Sequence, residues 1–169
     1  RGRLQDVVCR HDASRVVQAC FQYGTAEQKE EIFKELRSIM LELCMTQYGK
    51  FLVTSMIRYS DSALCEKIVA CFKGNTVRLG THTMGCAVLE VLFNGRPSRV
   101  RKSRNYVAKE TMAGLFSEFY GKSFQIFSKK GEKLSQFLEG STESQRRLVM
   151  DDLERNRGKM IAKGLHRLS

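Results

Sequence analysis

Long apolar runs are missing from this sequence. No stretch approaches 18 consecutive apolar residues, which excludes a membrane-spanning helix. The first residues lack the apolar core of a secretory signal peptide. A single proline beside 13 glycines rules out collagen, Pro-rich linkers and mucin-like stalks. No initiator Met opens the chain, and it stops at Leu168 and Ser169, so a fragment of a longer protein is expected. Six cysteines occur at 9, 20, 44, 65, 71 and 86, none of them as Cys-x-x-Cys. That spacing fits neither a zinc module nor a secreted disulfide framework. His82 and Cys86 stand one helical turn apart, but two ligands do not make a metal site. Small cysteines packed in a core are expected instead, and reduced ones imply the cytosol or nucleus.

Enzyme signatures are absent as well. There is no GxxxxGK[ST] loop, no HExxH and no GxSxG, and Gly114 and Gly121 are isolated. A nucleophile made from Cys86 and His82 lacks an orienting third group. No catalytic residue, metal, cofactor or small-molecule substrate is therefore expected.

What the sequence does have is positive charge. Among 169 residues, 29 Lys and Arg face 18 Asp and Glu, a formal net charge of +11. The isoelectric point is near 9.6. A folded chain this basic is expected to meet a polyanion, with nucleic acid first. At 42% hydrophobic and 28% charged residues, the composition is that of an ordered globular chain.

The periodicity is helical. Leu36, Ile39, Met40 and Leu43 recur at i, i+3, i+4, i+7, predicting one amphipathic helix whose wet face holds Glu27, Lys29, Glu30, Glu31, Lys34 and Glu35. Period-two alternation is scarce, so the class is all-α. Residues 11–24, HDASRVVQACFQYG, fall on 47–60 after a shift of 36, and on 83–96 after a second such shift. Val16, Leu52 and Val88 then coincide. So do Val17, Val53 and Leu89; Cys20, Met56 and Leu92; Phe21, Ile57 and Phe93. A weaker fourth copy opens at Tyr120-Gly121-Lys122, echoing Tyr48-Gly49-Lys50. Leu148, Val149, Leu153, Met160, Ile161 and Leu165 read as a further helix pair cut short. The expected architecture is a helical-repeat solenoid, an armadillo-like superhelix, forming one array over 1–169. Its units lie near 11–46, 47–82, 83–119 and 120–155.

On a helical wheel of about 100° per residue, Ser14, Arg15 and Gln18 share a narrow polar edge. Val16, Val17, Cys20 and Phe21 form the core stripe. The equivalent edges are Lys50, Phe51 and Thr54 in the second unit, then Cys86, Ala87 and Glu90, then Lys122, Ser123 and Ile126. Ser-Arg-Val-Val-Gln on the second helix of such a repeat resembles the Pumilio (PUF) family. That resemblance implies that three side chains per unit meet one base, two at its edge and one by stacking. Ser14 and Gln18 would be edge readers, and Arg15 would stack.

The run HDASRVVQACFQYGTAEQKEEIFKEL, the FKG at 72–74 and YGKSFQIF are similar to the divergent Puf-A branch of that family. This resemblance covers essentially the whole chain. It implies binding to RNA and DNA with little sequence preference, partners among ribosome assembly factors, and work on pre-rRNA and the large ribosomal subunit in the nucleolus. The departures favour that branch. Lys50 with Thr54 is no standard edge pair, Ala87 cannot stack, and Ile126 cannot bond a base edge. Two alternatives remain at this point: a protein–protein scaffold, and a sequence-reading Pumilio regulator of messenger RNA. A basic run over 96–109 reads as an insertion. Arg96, Arg99, Arg101, Lys102 and Arg104 in it, with Lys122 further on, are candidate phosphate contacts. Pro97 and Ser98 fit a turn or helix start, and with Tyr106 and Val107 following, part of the segment is expected to pack.

Overall fold

The structure is a computed structural model of the chain and describes residues 4, 8, 10–94, 107–129 and 131–162. Every regular element among them is helical. Helix α1 (His11–Tyr23) turns Val17 and Phe21 inward and stops where Gly24 goes extended. Thr25 then starts α2 (Ala26–Leu36) with a reciprocal cap. Its hydroxyl accepts from the Gln28 N–H at 3.3 Å, and its own N–H donates to Gln28 Oε1 at 2.9 Å. One repeat later the grammar recurs. Helix α4 (Gly49–Tyr59) stops at an extended Ser60. Asp61 then caps α5 (Ser62–Ala70), accepting from the Leu64 N–H at 2.7 Å.

Between α2 and α4 the single amphipathic helix expected from the spacing is broken. A 3-10 turn at Arg37–Ile39 separates α2 from α3 (Met40–Cys44). The bend still delivers Leu36, Met40 and Leu43 to the core from both sides. Helix α6 (Thr76–Gly80) closes the second unit, and the third supplies α7 (Gly85–Phe93) and α8 (Lys109–Phe116). His82 acts as a cap, its Nδ1 accepting from the Met84 and Gly85 N–H groups at 3.2 and 3.3 Å. Val107 packs on the core, as expected. The basic run over 96–106 lies outside the described residues.

A second 3-10 turn, Ser117–Tyr120, leads into α9 (Gly121–Phe127), followed by α10 (Leu134–Gly140) and α11 (Glu143–Ala162). The Glu118 carboxylate accepts from the Gly74 and Thr76 N–H groups at 2.6 and 2.9 Å, tying this turn to the start of α6. Gly49, Gly85 and Gly121 open α4, α7 and α9 at the repeat spacing. Each opening is tight. A Cβ on Gly49 would lie 2.4 Å from the Leu43 carbonyl oxygen. Gly121 has φ 90° and ψ 175°, a region that is essentially glycine-only. The next position in this series is Arg157, where nothing breaks the chain. Where a further helix pair cut short is expected, residues 143–162 form a single helix, α11; Leu165 lies outside the described residues.

Helix α4 is packed between α1 and α7. Leu52, Val53, Met56 and Ile57 are buried there, and Val17 and Leu89 are buried at the same phase as Val53. Three expected core positions fail. Val16 is 62% exposed, Cys20 is exposed, and Phe93 is 63% exposed. Among the described residues nothing covers the flank of α1 that carries Val16 and Cys20. Phe93 instead sets its edge against Phe116 at 5.4 Å. A second, smaller cluster joins Phe124, Phe137 and Val149. Polar contacts hold α11 there. Asp152 Oδ2 accepts from the Ser123 hydroxyl at 2.8 Å and its N–H at 3.2 Å. Asn156 donates to the Phe119 carbonyl at 3.0 Å.

Two outcomes are expected in thermal unfolding. Leu89→Ala leaves a cavity between stacked helices and costs about 2–5 kcal/mol, whereas Val16→Ala stays within about 0.5 kcal/mol. Equal losses at the two positions would contradict the packing register. The second outcome concerns pH. The Ser123 hydroxyl and N–H, helped by Arg155 and Lys122, hold the Asp152 carboxyl below the usual aspartate range. A depressed native value stabilises the fold above the unfolded value and stops doing so as pH falls through the native one. Asp152→Asn should therefore lower Tm at neutral pH, and the gap from the parent should close below about pH 3.9, the ordinary aspartate value. A gap independent of pH would mean that the carboxylate charge is irrelevant.

Candidate functional site

The polar edges of α1, α4, α7 and α9 are the surface on which the expected site residues fall. In the first unit Arg15 is exposed, but Ser14 is not, being 1% exposed. Its hydroxyl donates to the Tyr48 carbonyl at 3.3 Å and accepts from Gln18 Nε2 at 3.1 Å. This corrects the wheel, which put Ser14 on the open edge. The cause is the neighbouring unit: the chain entering α4 lies over Ser14, a contact that no single-helix projection contains. Gln18 is half-buried, with one amide proton engaged. The first unit thus presents Arg15 and part of Gln18, not a full triplet.

The second unit is corrected at one position too. Thr54 is buried, and its hydroxyl donates to the Phe51 carbonyl at 2.9 Å. Phe51, by contrast, is 52% exposed. The Lys50 ammonium sits 4.9 Å from the Phe51 ring centroid and 3.2 Å from Met84 Sδ. An aromatic ring with a cation over it is thereby held in the open. In the third unit Cys86 donates its thiol proton to the Thr83 carbonyl at 3.3 Å. Desolvation, with the Glu90 charge nearby, raises its pKa. A thiol so placed stays protonated and is no nucleophile. In the fourth unit Lys122 and Ile126 are exposed, while Ser123 is bound to Asp152. The candidates Arg96, Arg99, Arg101, Lys102 and Arg104 lie outside the described residues.

Between α4 and α7 these edges open into a groove of about 430 Å³. Lys50, Phe51 and Thr54 line one wall, and Ala87 and Glu90 line the other. The groove brings the second and third expected edges together. It also recruits Arg58, Val91 and Asn94, which the sequence reading did not pick out. The signal for two of them was present: Arg58 and Asn94 stand a repeat apart, in phase with Gln22. The volume lies within the range of about 300–1,000 Å³ usual for ligand clefts. Its walls supply a ring face, two cations, a carboxylate and an amide. They supply no base–nucleophile pair.

Comparisons with known proteins agree with this architecture. Residues 13–37 match the family described as "Pumilio-family RNA binding repeat". Human Pumilio homolog 3 is 28% identical over 155 residues, covering 91% of this chain and 22% of that protein. The chain thus spans about a fifth of that relative's length. The crystal structure of human Puf-A superposes with a TM-score of 0.79 at 27% identity, over 97% of this chain and 30% of that one. The structure of human Puf-A in complex with DNA gives 0.74 at 27% identity, over 92% of this chain and 29% of that one. The repeat register, the stacked second helices and these likenesses converge: the chain carries a Pumilio-type repeat at residues 13–37 and is similar in fold, over nearly its whole length, to human Puf-A.

Proposed function

We propose that this chain binds single-stranded nucleic acid, RNA in its physiological setting, along the strip formed by α1, α4 and α7. Stacking and phosphate contacts dominate the binding, and base-edge reading contributes little. The observation that carries this reading is the open α4–α7 groove, where Phe51 stands exposed between cations. Bases of any identity stack on an aromatic ring, and basic side chains meet the backbone whatever its sequence. Edge readers are few, because the Ser14 and Thr54 hydroxyls are bonded to the chain itself. The likeness to human Puf-A, whose structure in complex with DNA is known, supports the ligand class. A setting in pre-rRNA processing and large-subunit assembly, in the nucleolus and among ribosome assembly factors, is part of this proposal and rests on the sequence resemblance to the Puf-A branch alone. The net charge of +11 supports a polyanionic ligand on its own. The basic run over 96–109 adds to it by charge alone.

Fluorescence anisotropy with unrelated single strands of equal length tests the proposal. Affinities should fall within about a hundredfold, roughly 2.7 kcal/mol. Phe51→Ala should weaken every member by about 1–3 kcal/mol, the worth of one stacked base. A wider spread would point to a sequence-reading protein. Failure to bind any RNA at moderate salt would favour the protein scaffold.

A further inference from the structure

We propose a second contact row, formed by Gln22, Arg58 and Asn94, in which Arg58 holds the phosphate of the nucleotide whose base lies against Phe51. The inference rests on the nucleic-acid reading above and adds residues that the repeat's base-facing triplets do not include. These three side chains follow Arg15, Phe51 and Ala87 by seven residues, and residues at i and i+7 share a helix face. All three are exposed. The row therefore extends the strip by two helical turns, about 10 Å, a distance that a sugar–phosphate unit and an arginine side chain span together.

Three observations single out Arg58. It lines the same groove as Phe51, with Asn94 at the C-cap of the facing helix α7. Among the described residues the ion pairs are His11 with Asp12, Lys67 with Glu30, and Arg155 with Asp152, and none includes Arg58. The other cation of the groove, Lys50, already leans on Met84 and the Phe51 ring. A guanidinium with its donors uncommitted, at the mouth of an aromatic groove, suits bidentate phosphate contact better than an ammonium. A positive charge in the last turn of α4 also suits the helix dipole. That effect alone does not explain the row, because Gln22 in the last turn of α1 and Asn94 at the C-cap of α7 carry no charge. Their amides each offer donors and an acceptor to sugar or phosphate.

The test measures the Kd of a mixed-sequence single-stranded RNA against salt for the parent, Arg58→Gln, Arg58→Lys and Asn94→Ala. Arg58→Gln should weaken binding alike across sequences and lower the log–log salt slope by about 0.7, one phosphate on a single strand. Arg58→Lys should keep the slope and lose part of the affinity. Asn94→Ala should weaken binding with the slope unchanged. A second measurement places one neutral methylphosphonate linkage in the RNA: the position that costs the parent affinity should cost Arg58→Gln nothing. If the parent binds and Arg58→Gln matches it in slope and affinity, the second row is overturned and the stacking strip stands. If the parent binds no RNA, the underlying functional reading itself fails.

Discussion

An eleven-residue helix such as α4 cannot bury its own apolar stripe, and this requirement organises the molecule. Leu52, Val53, Met56 and Ile57 are removed from water because α1 lies along one flank and α7 along the other, with α3 and α5 packed beside them. The hydrophobic effect then acts between units as well as within them. Stacking in one register also aligns whatever lies on the opposite edge of each helix. The functional strip is a by-product of core packing: Val17, Val53 and Leu89 go in together, so Arg15, Phe51 and Ala87 come out in a row. The glycines that open α4, α7 and α9 keep that register: preceding backbone comes too close for a side chain at Gly49 and Gly85, and the Asp152 side chain of α11 does so at Gly121.

Charge is organised on the same frame. Lys67 on α5 reaches back to Glu30 on α2 at 2.7 Å, an ion pair between equivalent helices of successive units. Such a half-exposed pair contributes little energy. Even so, it places a neutralising partner on the outer helices, whereas Arg15 and Arg58 on the inner helices have no ion-pair partner among the described residues.

How much of this was legible in the sequence depends on whether a position is decided within a unit or between units. The repeat length, the all-helical class and the burial of Val17, Val53 and Leu89 follow from periodicity inside one helix. Ser14 and Thr54 were misplaced because their burial and hydrogen bonds come from backbone that a wheel omits. Val16 and Cys20 matched core positions of the middle unit, but a stripe is buried only where a neighbour covers it. The bend at 37–39 escaped notice because the apolar spacing continues across it. The groove residues Arg58 and Asn94 carried the repeat spacing, yet they were polar residues outside the expected triplets and so drew no attention.

The uninterrupted α11 has a consequence for cooperativity. The apolar residues fall into two clusters, a large one from Val8 to Leu115 and a small one of Phe124, Phe137 and Val149. In a repeat array, stability is close to a sum of units and the interfaces between them. The small cluster meets the large one through hydrogen-bonded turns, such as Glu118 on the start of α6, more than through a shared apolar stripe. Helices α9, α10 and α11 are therefore expected to open as a separate unit, their amides exchanging with solvent by a sub-global route while the stack of α1, α4 and α7 stays closed. A ligand confined to that stack protects its own amides and leaves those of α9–α11 to exchange on their own schedule.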